Sequence, residues 1–175
     1  RIQRFYSGAP LGWDIIAAHG DIERDQQDEL VKLLHQPSEM IRLVCIVAEP
    51  GAGKSTFAWR VAAELHKRYD ALIIRIKRKE DASIWFRLPV FYQKVNRPFY
   101  VLIDDIFRDP DVVNALCELD QKLPITVLAT SRSNEYRSIR FEGRFEQVSL
   151  KKPSIDEKEK ILKRLGKLQD DLSMK

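Results

Sequence analysis

The chain has 175 residues, 44% apolar and 32% charged, enough for one domain whose core folds unaided and an ordinary composition for a soluble protein. No apolar run approaches a membrane span and the start carries no secretory pattern, so no membrane partner and a cytoplasmic location are expected. The formal charge of +4, from 30 basic and 26 acidic residues, is spread along the chain and gives little support to a nucleic-acid partner.

The first residue is Arg1, so the chain reads as a piece of something longer. Arg1 to Gly20 carries Phe5, Tyr6, Pro10 and Trp13 among small residues, which predicts an irregular segment docked by its aromatics. From Glu23 to Gln36, Leu30, Val31 and Leu34 recur at helical spacing and Pro37 stops the run. Leu43 to Val47 is an apolar, β-branched strand that breaks into Glu49-Pro50-Gly51-Ala52-Gly53, after which Lys54 opens a helix with the stripe Phe57, Ala58, Val61, Ala62 and Leu65, ending near Arg68. Ala71 to Ile76 is a short strand expected to be buried. Between Lys77 and Pro98 the residues Ile84, Trp85, Leu88, Phe91, Tyr92 and Val95 give a helix an apolar face, with Pro89 either kinking it or starting it.

Phe99 to Ile103 is a further strand that delivers Asp104 and Asp105 at its C-terminal end, where ligands gather in a parallel sheet. Asp109 and Pro110 are placed to cap and begin a helix to Lys122. Ile125 to Ala129 is a strand running into Thr130-Ser131-Arg132, and Phe145 to Leu150 is another. Ser154 and Glu157 form a capping box ahead of a last helix with Ile161, Leu162, Leu165 and Leu168 on its apolar face. Strands alternate with helices throughout, which predicts an α/β fold: a parallel sheet covered by helices on both faces.

Strand, glycine-rich loop and helix around Gly51 and Gly53 make a P-loop, in which successive backbone N–H groups and a helix N-terminus surround polyphosphate. Glu49 to Gly53 form the cradle, Lys54 would reach the β- and γ-phosphates, Ser55 would sit on magnesium, and Thr56 completes the motif. Ala48 stands where the pattern has its first glycine, and a differently shaped strand end is expected there. Asp104 would hold magnesium through water opposite Ser55, and Asp105 would orient or activate the attacking water. An aspartate pair can also simply cap a helix. Arg132 is a candidate γ-phosphate sensor or a surface salt-bridge partner, and Glu135 a second candidate for positioning water. The aromatic leader is either a docking arm or a cover for the nucleotide base.

Cys45 and Cys117 match no zinc spacing and suit a reducing compartment; His19, His35 and His66 stand alone. Tyr69, Arg75, Lys77, Arg78 and Lys79 put basic groups beside an aromatic, but solvated charge next to a strand explains them as well, so nucleic-acid binding is possible without being supported.

The motifs at Ala48 to Ser55, Val101 to Asp105 and Thr130 to Arg132 resemble those of the STAND class of P-loop ATPases, relatives of NACHT and NB-ARC switch domains, and the F-Y-x-G-x-P leader is similar to bacterial members. The resemblance implies a three-layer sheet of about five strands in ASCE order 5-1-4-3-2. It also implies ATP/ADP and Mg2+ as ligands, and backbone near Arg24, in Ile22-Glu23-Arg24-Asp25, against the adenine. Residues 1–36 would then be the arm and adenine-side helix, 37–150 the NTPase core and 151–175 the start of a helical lid. The implied role is a slow ATPase switch in bacterial antiphage defence or cell death, self-associating under nucleotide control, with effector and sensor domains elsewhere. The alternative is an AAA+ ATPase that loads or remodels DNA or protein complexes, for which Arg140 and Arg144 resemble fingers presented to a neighbouring subunit. A non-hydrolytic interaction module is the third possibility.

Overall fold

Apolar stretches too short for helices become five strands, β1 (Arg42–Ala48), β2 (Leu72–Ile76), β3 (Phe99–Ile103), β4 (Thr126–Arg132) and β5 (Phe145–Ser149). They pair in parallel in the order β2-β3-β4-β1-β5, the order expected. The computed structural model describes residues 12–37, 41–76, 87–95, 97–108, 112, 125–138 and 145–173. Phe5, Tyr6, Pro10, Lys77 to Lys79, Ile84, Trp85, Cys117, Arg140 and Arg144 lie outside them, as does the helix expected over 109–122 apart from Val112.

Central β1 and β4 read as continuous apolar runs because helices or turns cover both their faces. Alternation along β1 sends Val44 and Ile46 to one face, with Leu102 and Leu128, and Leu43, Cys45 and Val47 to the other, with Val101, Ile103 and Val127. The first face is covered by α1 (Trp13–Ala17), α2 (Gln27–Leu34) and α3 (Lys54–Tyr69). On the second lie the turn Ile106–Arg108 and α5 (Ser133–Ser138), whose Tyr136 packs against Phe107. The expected stripe of α3 faces the sheet: Phe57, Ala58, Val61, Ala62 and Leu65 are all buried, and each large member contributes about 1.5–3 kcal/mol on burial.

Three local expectations are corrected. Trp13–Ala17 is helical, not irregular, because Ile15 and Ile16 bury on the sheet side. Arg60 of α3 fixes that segment, binding the buried Asp21 carboxylate and donating from Nη2 to the Ile16 carbonyl at 2.9 Å. The helix expected from Glu23 begins only at Gln27, since the preceding residues are engaged with the chain after β5, as described below. Finally, β2 is an edge strand starting at Leu72, and only its last residue is buried.

Pro89 lies in the first turn of α4 (Leu88–Lys94), so it starts a helix and does not kink one. Asp70, at φ 50°, ends α3 one residue beyond the expected limit. The capping box is formed at the head of α6 (Ile155–Ser173): the Glu157 amide donates to Ser154 Oγ at 3.2 Å and the Ser154 amide to Glu157 Oε2 at 2.8 Å. Of the expected apolar face of α6, Leu162 is 66% exposed and Leu165 is exposed too, while Ile161 is half-buried.

Candidate functional site

The site lies at the C-terminal edge of the sheet, and the strand register assembles it. Ala48 is level with Arg132 across β1 and β4, while Ile103 is level with Ala129 across β3 and β4. The next residues along, Asp104 and Thr130, therefore face each other beside the loop that follows β1.

In that loop Gly51 has φ 77° and Gly53 φ 82°, a conformation that L side chains rarely adopt. A Cβ added at either would meet nothing within 4 Å, so the requirement is conformational and not spatial. Ala48 is the last residue of β1 and is not among the residues with positive φ. Extended backbone at this position accepts alanine without strain. Glu49 and Pro50 are exposed, and the Ala52 amide donates to the Glu49 carbonyl at 3.2 Å, tightening the turn.

Lys54, the first residue of α3, is buried, and its Nζ donates to the Glu49 carbonyl at 3.1 Å. An ammonium carries three donors, so this bond lays the side chain across the loop with protons left to give. Thr56 follows Ser55 in the first turn of α3, part-buried. Ser55 Oγ donates to Asp104 Oδ1 at 2.7 Å, joining residues 49 positions apart.

Thr130, wholly buried, donates to the same oxygen at 2.6 Å and accepts the Asp105 amide at 2.9 Å. Asp105 has φ 49°, and its carboxylate lies 3.3 Å from Arg108 Nε. Arg132 Nε is 3.7 Å from Glu135 Oε1, so the two remaining candidates face each other, both part-exposed.

Ser55 Oγ and Asp104 Oδ1 form a hard oxygen pair, the donor type that suits magnesium. Among the described residues no group of three or more His, Cys, Asp or Glu could hold a metal. The two facts agree, because Mg2+ takes one or two protein oxygens and completes its shell with phosphate and water.

Arg24 turns to the chain after β5. Its Nε donates to Glu157 Oε2 at 3.0 Å and its Nη2 to the Lys151 carbonyl at 2.6 Å. The Asp25 amide adds a bond to Glu157 Oε1 at 2.7 Å, and Gln26 exchanges bonds with the Ser149 carbonyl and the Lys151 amide. A cavity of about 480 Å³ opens between the loop and this clasp, lined by Ala48 to Ala52, Tyr136 and Ser149 to Pro153. A larger one, about 820 Å³, sits at the opposite edge of the sheet, where β3 and β4 begin, and holds no residue of the loop.

Beneath the loop, burial pushes the Cys45 thiol up to about 12, against a smaller downward pull from Lys54. The described members of the basic cluster are engaged within the protein: Tyr69 stacks on His35 at 3.5 Å, and Arg75 lies 4.5 Å over the Trp59 ring. Two functional candidates went unassigned in the sequence. Thr130 was visible only as half of a hydroxyl pair, and Glu157 only as a helix cap. The signal for Thr130 was a hydroxyl at the end of an otherwise apolar strand.

A β-strand running through a doubly glycine-hinged loop into a helix, with an acidic pair two strands away across an intervening β4, defines a P-loop NTPase of the ASCE arrangement. The family model described as Novel STAND NTPase 5 matches residues 3–144, and the chain belongs to that family. No curated protein matches it. Among solved structures it is similar to Hsp104 in an extended S. cerevisiae Hsp104:casein complex, with TM-score 0.55, 18% identity, 87% of this chain covered and 31% of that one. It is also similar to a DNA polymerase III gamma subunit-related protein from Thermotoga maritima, with TM-score 0.51, 15% identity, 74% of this chain covered and 47% of that one. At such identities the likeness concerns the fold alone, and the chain spans less than half the length of either. No described helix is long and apolar enough to cross a membrane.

Proposed function

We propose that this chain is the ATP-binding and ATP-hydrolysing switch domain of a STAND-type signalling ATPase. The observation that carries the reading is the 2.7 Å bond between Ser55 Oγ and Asp104 Oδ1 beside the buried Lys54, which is the oxygen pair a nucleotide-bound magnesium needs. The amides around Gly51 to Gly53 and the head of α3 face the phosphates. Ser55, and Asp104 through water, would hold Mg2+, which would supply positive charge against the phosphate oxygens. Asp105 orients the attacking water, Arg132 answers the γ-phosphate, and Glu135 is a second candidate for positioning that water. Residues 1–36 supply the arm and, near Arg24, backbone for the adenine; 37–150 form the catalytic core; 151–175 begin a lid.

By this reading the domain exchanges ADP for ATP on a signal sensed elsewhere and self-associates, in a cytoplasmic role such as antiphage defence or regulated cell death. Slow turnover and purification with ADP bound are expected. The fold likeness to Hsp104 and to the DNA polymerase III gamma subunit-related protein supports a second reading, an AAA+ remodeller using Arg140 and Arg144 in trans, which would turn over steadily and faster with its client. Titration with ATP and Mg2+ tests the shared core: saturable heat is expected in the wild type and none in Lys54→Ala. Asp105→Asn is expected to keep binding while losing roughly 100-fold or more in cleavage. Wild-type protein that gives no lysine-dependent heat would end both readings.

A further inference from the structure

Buried hydroxyls need partners, and a strand in a sheet core has no reason to carry one unless something beside it must be held. Thr130 lies on the α3 side of β4, on the same face as Leu128, with no exposed surface. A threonine hydroxyl has one proton and two lone pairs. Here the proton goes to Asp104 Oδ1 at 2.6 Å, and a lone pair takes the Asp105 amide at 2.9 Å. Asp105 follows the end of β3 and sits at φ 49°, so its amide has turned towards Thr130. One oxygen thus fixes both the rotamer of the first aspartate and the backbone twist that sets where the second projects.

We propose that Thr130 is a positioning residue that couples the metal-holding carboxylate of Asp104 to the water-orienting carboxylate of Asp105, an assignment that rests on the proposed function above. Ser55 and Thr130 approach the same oxygen of Asp104, at 2.7 and 2.6 Å. Two hydroxyls from two different elements therefore aim one carboxylate. Without the Thr130 hydroxyl, Asp104 keeps the Ser55 bond and rotates more freely, and the part-buried Asp105 amide loses its acceptor. Threonine and valine have nearly the same shape, so a purely space-filling role predicts no loss on that exchange, whereas a hydroxyl role does.

The test compares Thr130→Val with Thr130→Ser by calorimetric titration of ADP with and without Mg2+ and by steady-state ATP cleavage. Hydrogen exchange at the Asp105 amide completes it. For Thr130→Val, ADP binding without Mg2+ should stay within about twofold of wild type, while the Mg2+ concentration for half-maximal tightening rises about tenfold and kcat falls about 10- to 100-fold, as for other residues that orient metal ligands. The Asp105 amide should lose protection. Thr130→Ser should restore all three readouts to within roughly threefold. The inference is overturned if Thr130→Val keeps the wild-type Mg2+ dependence, or if Thr130→Ser is as impaired as Thr130→Val. Should Thr130→Val fail to fold, Thr130→Ala against Thr130→Ser carries the same comparison. A wild-type protein that binds no nucleotide at all would instead remove the reading on which the inference rests.

Discussion

Glu157 is the sharpest place to perturb the clasp between the chain before α2 and the chain after β5. Its carboxylate is 3% exposed and takes Arg24 Nε at 3.0 Å, the Asp25 amide at 2.7 Å and the Ser154 amide at 2.8 Å. Replacing it with alanine leaves a guanidinium that is itself only 11% exposed, and two amides, without that acceptor. Breaking a buried ion pair from one side costs about 3–5 kcal/mol. Arg24 keeps its 2.6 Å bond to the Lys151 carbonyl, which places the expected loss at the lower end, about 3 kcal/mol. In a chain of this size that lowers Tm by about 6–12 °C. Glu157→Gln keeps one acceptor oxygen but turns an NH2 group towards donors, so a loss of about 2 kcal/mol is expected. Urea and thermal unfolding measure the stability, and hydrogen exchange locates it: protection should fall first at the Asp25 and Ser154 amides. If Glu157→Ala unfolds within about 1 kcal/mol of wild type with both amides still protected, the clasp contributes nothing and the argument from buried charge fails here.

Gly53→Ala should destabilise by about 1–2 kcal/mol because φ 82° is left-handed, although the added methyl meets nothing within 4 Å. Ala48→Gly, in extended backbone, should bring no gain, and thermal melts of the two variants decide it. Burial raises the Cys45 thiol from 9.0 to about 12, so the unfolded chain releases this proton first as pH rises. Its contribution to stability is complete below pH 9 and is lost between pH 9.0 and about 12, at up to about 1.4 kcal/mol per pH unit. Tyr100, raised from 10.0 to about 12 by burial, adds to the slope above pH 10.0. Urea unfolding at pH 8 and pH 10.5 should show the loss, and Cys45→Ala should reduce it; a flat profile would refute the assigned burial effect.

Strands β1 to β4 were legible because each is built on an apolar run bounded by charge or proline, and a helix between strands, such as α3 between β1 and β2, goes with parallel pairing; β5, Phe-Glu-Gln-Val-Ser, alternates instead. Lys54, Ser55 and Asp104 were legible for a related reason. Each directly follows a strand or opens a helix, so sequence position fixes where it projects. What failed to show was whatever depends on distant partners. Nothing local in Ile22 to Gln26 says that its polar groups will be taken by Glu157 and Ser149, and hence that helix α2 must wait until Gln27. Edge position is equally invisible: Leu72 to Ile76 looks like a buried strand until the order of strands puts it at the rim with Arg75 laid over Trp59.

The position of β4 gives the fold its leverage on chemistry. It is hydrogen-bonded to β1, which feeds the phosphate loop, and to β3, which ends in the two aspartates. A side chain at its C-terminal end therefore lies between the two, and Thr130 there bonds Asp104, the same carboxylate that Ser55 of α3 reaches. The clasp at Glu157 is separate. It ties the chain before α2 to the chain after β5, across the cavity from the loop that follows β1. Two couplings follow, one at the phosphate end through β4 and one at the Arg24 end through α6. A doubly substituted Thr130→Val, Glu157→Gln chain would therefore show additive losses of stability, since the two share no partner.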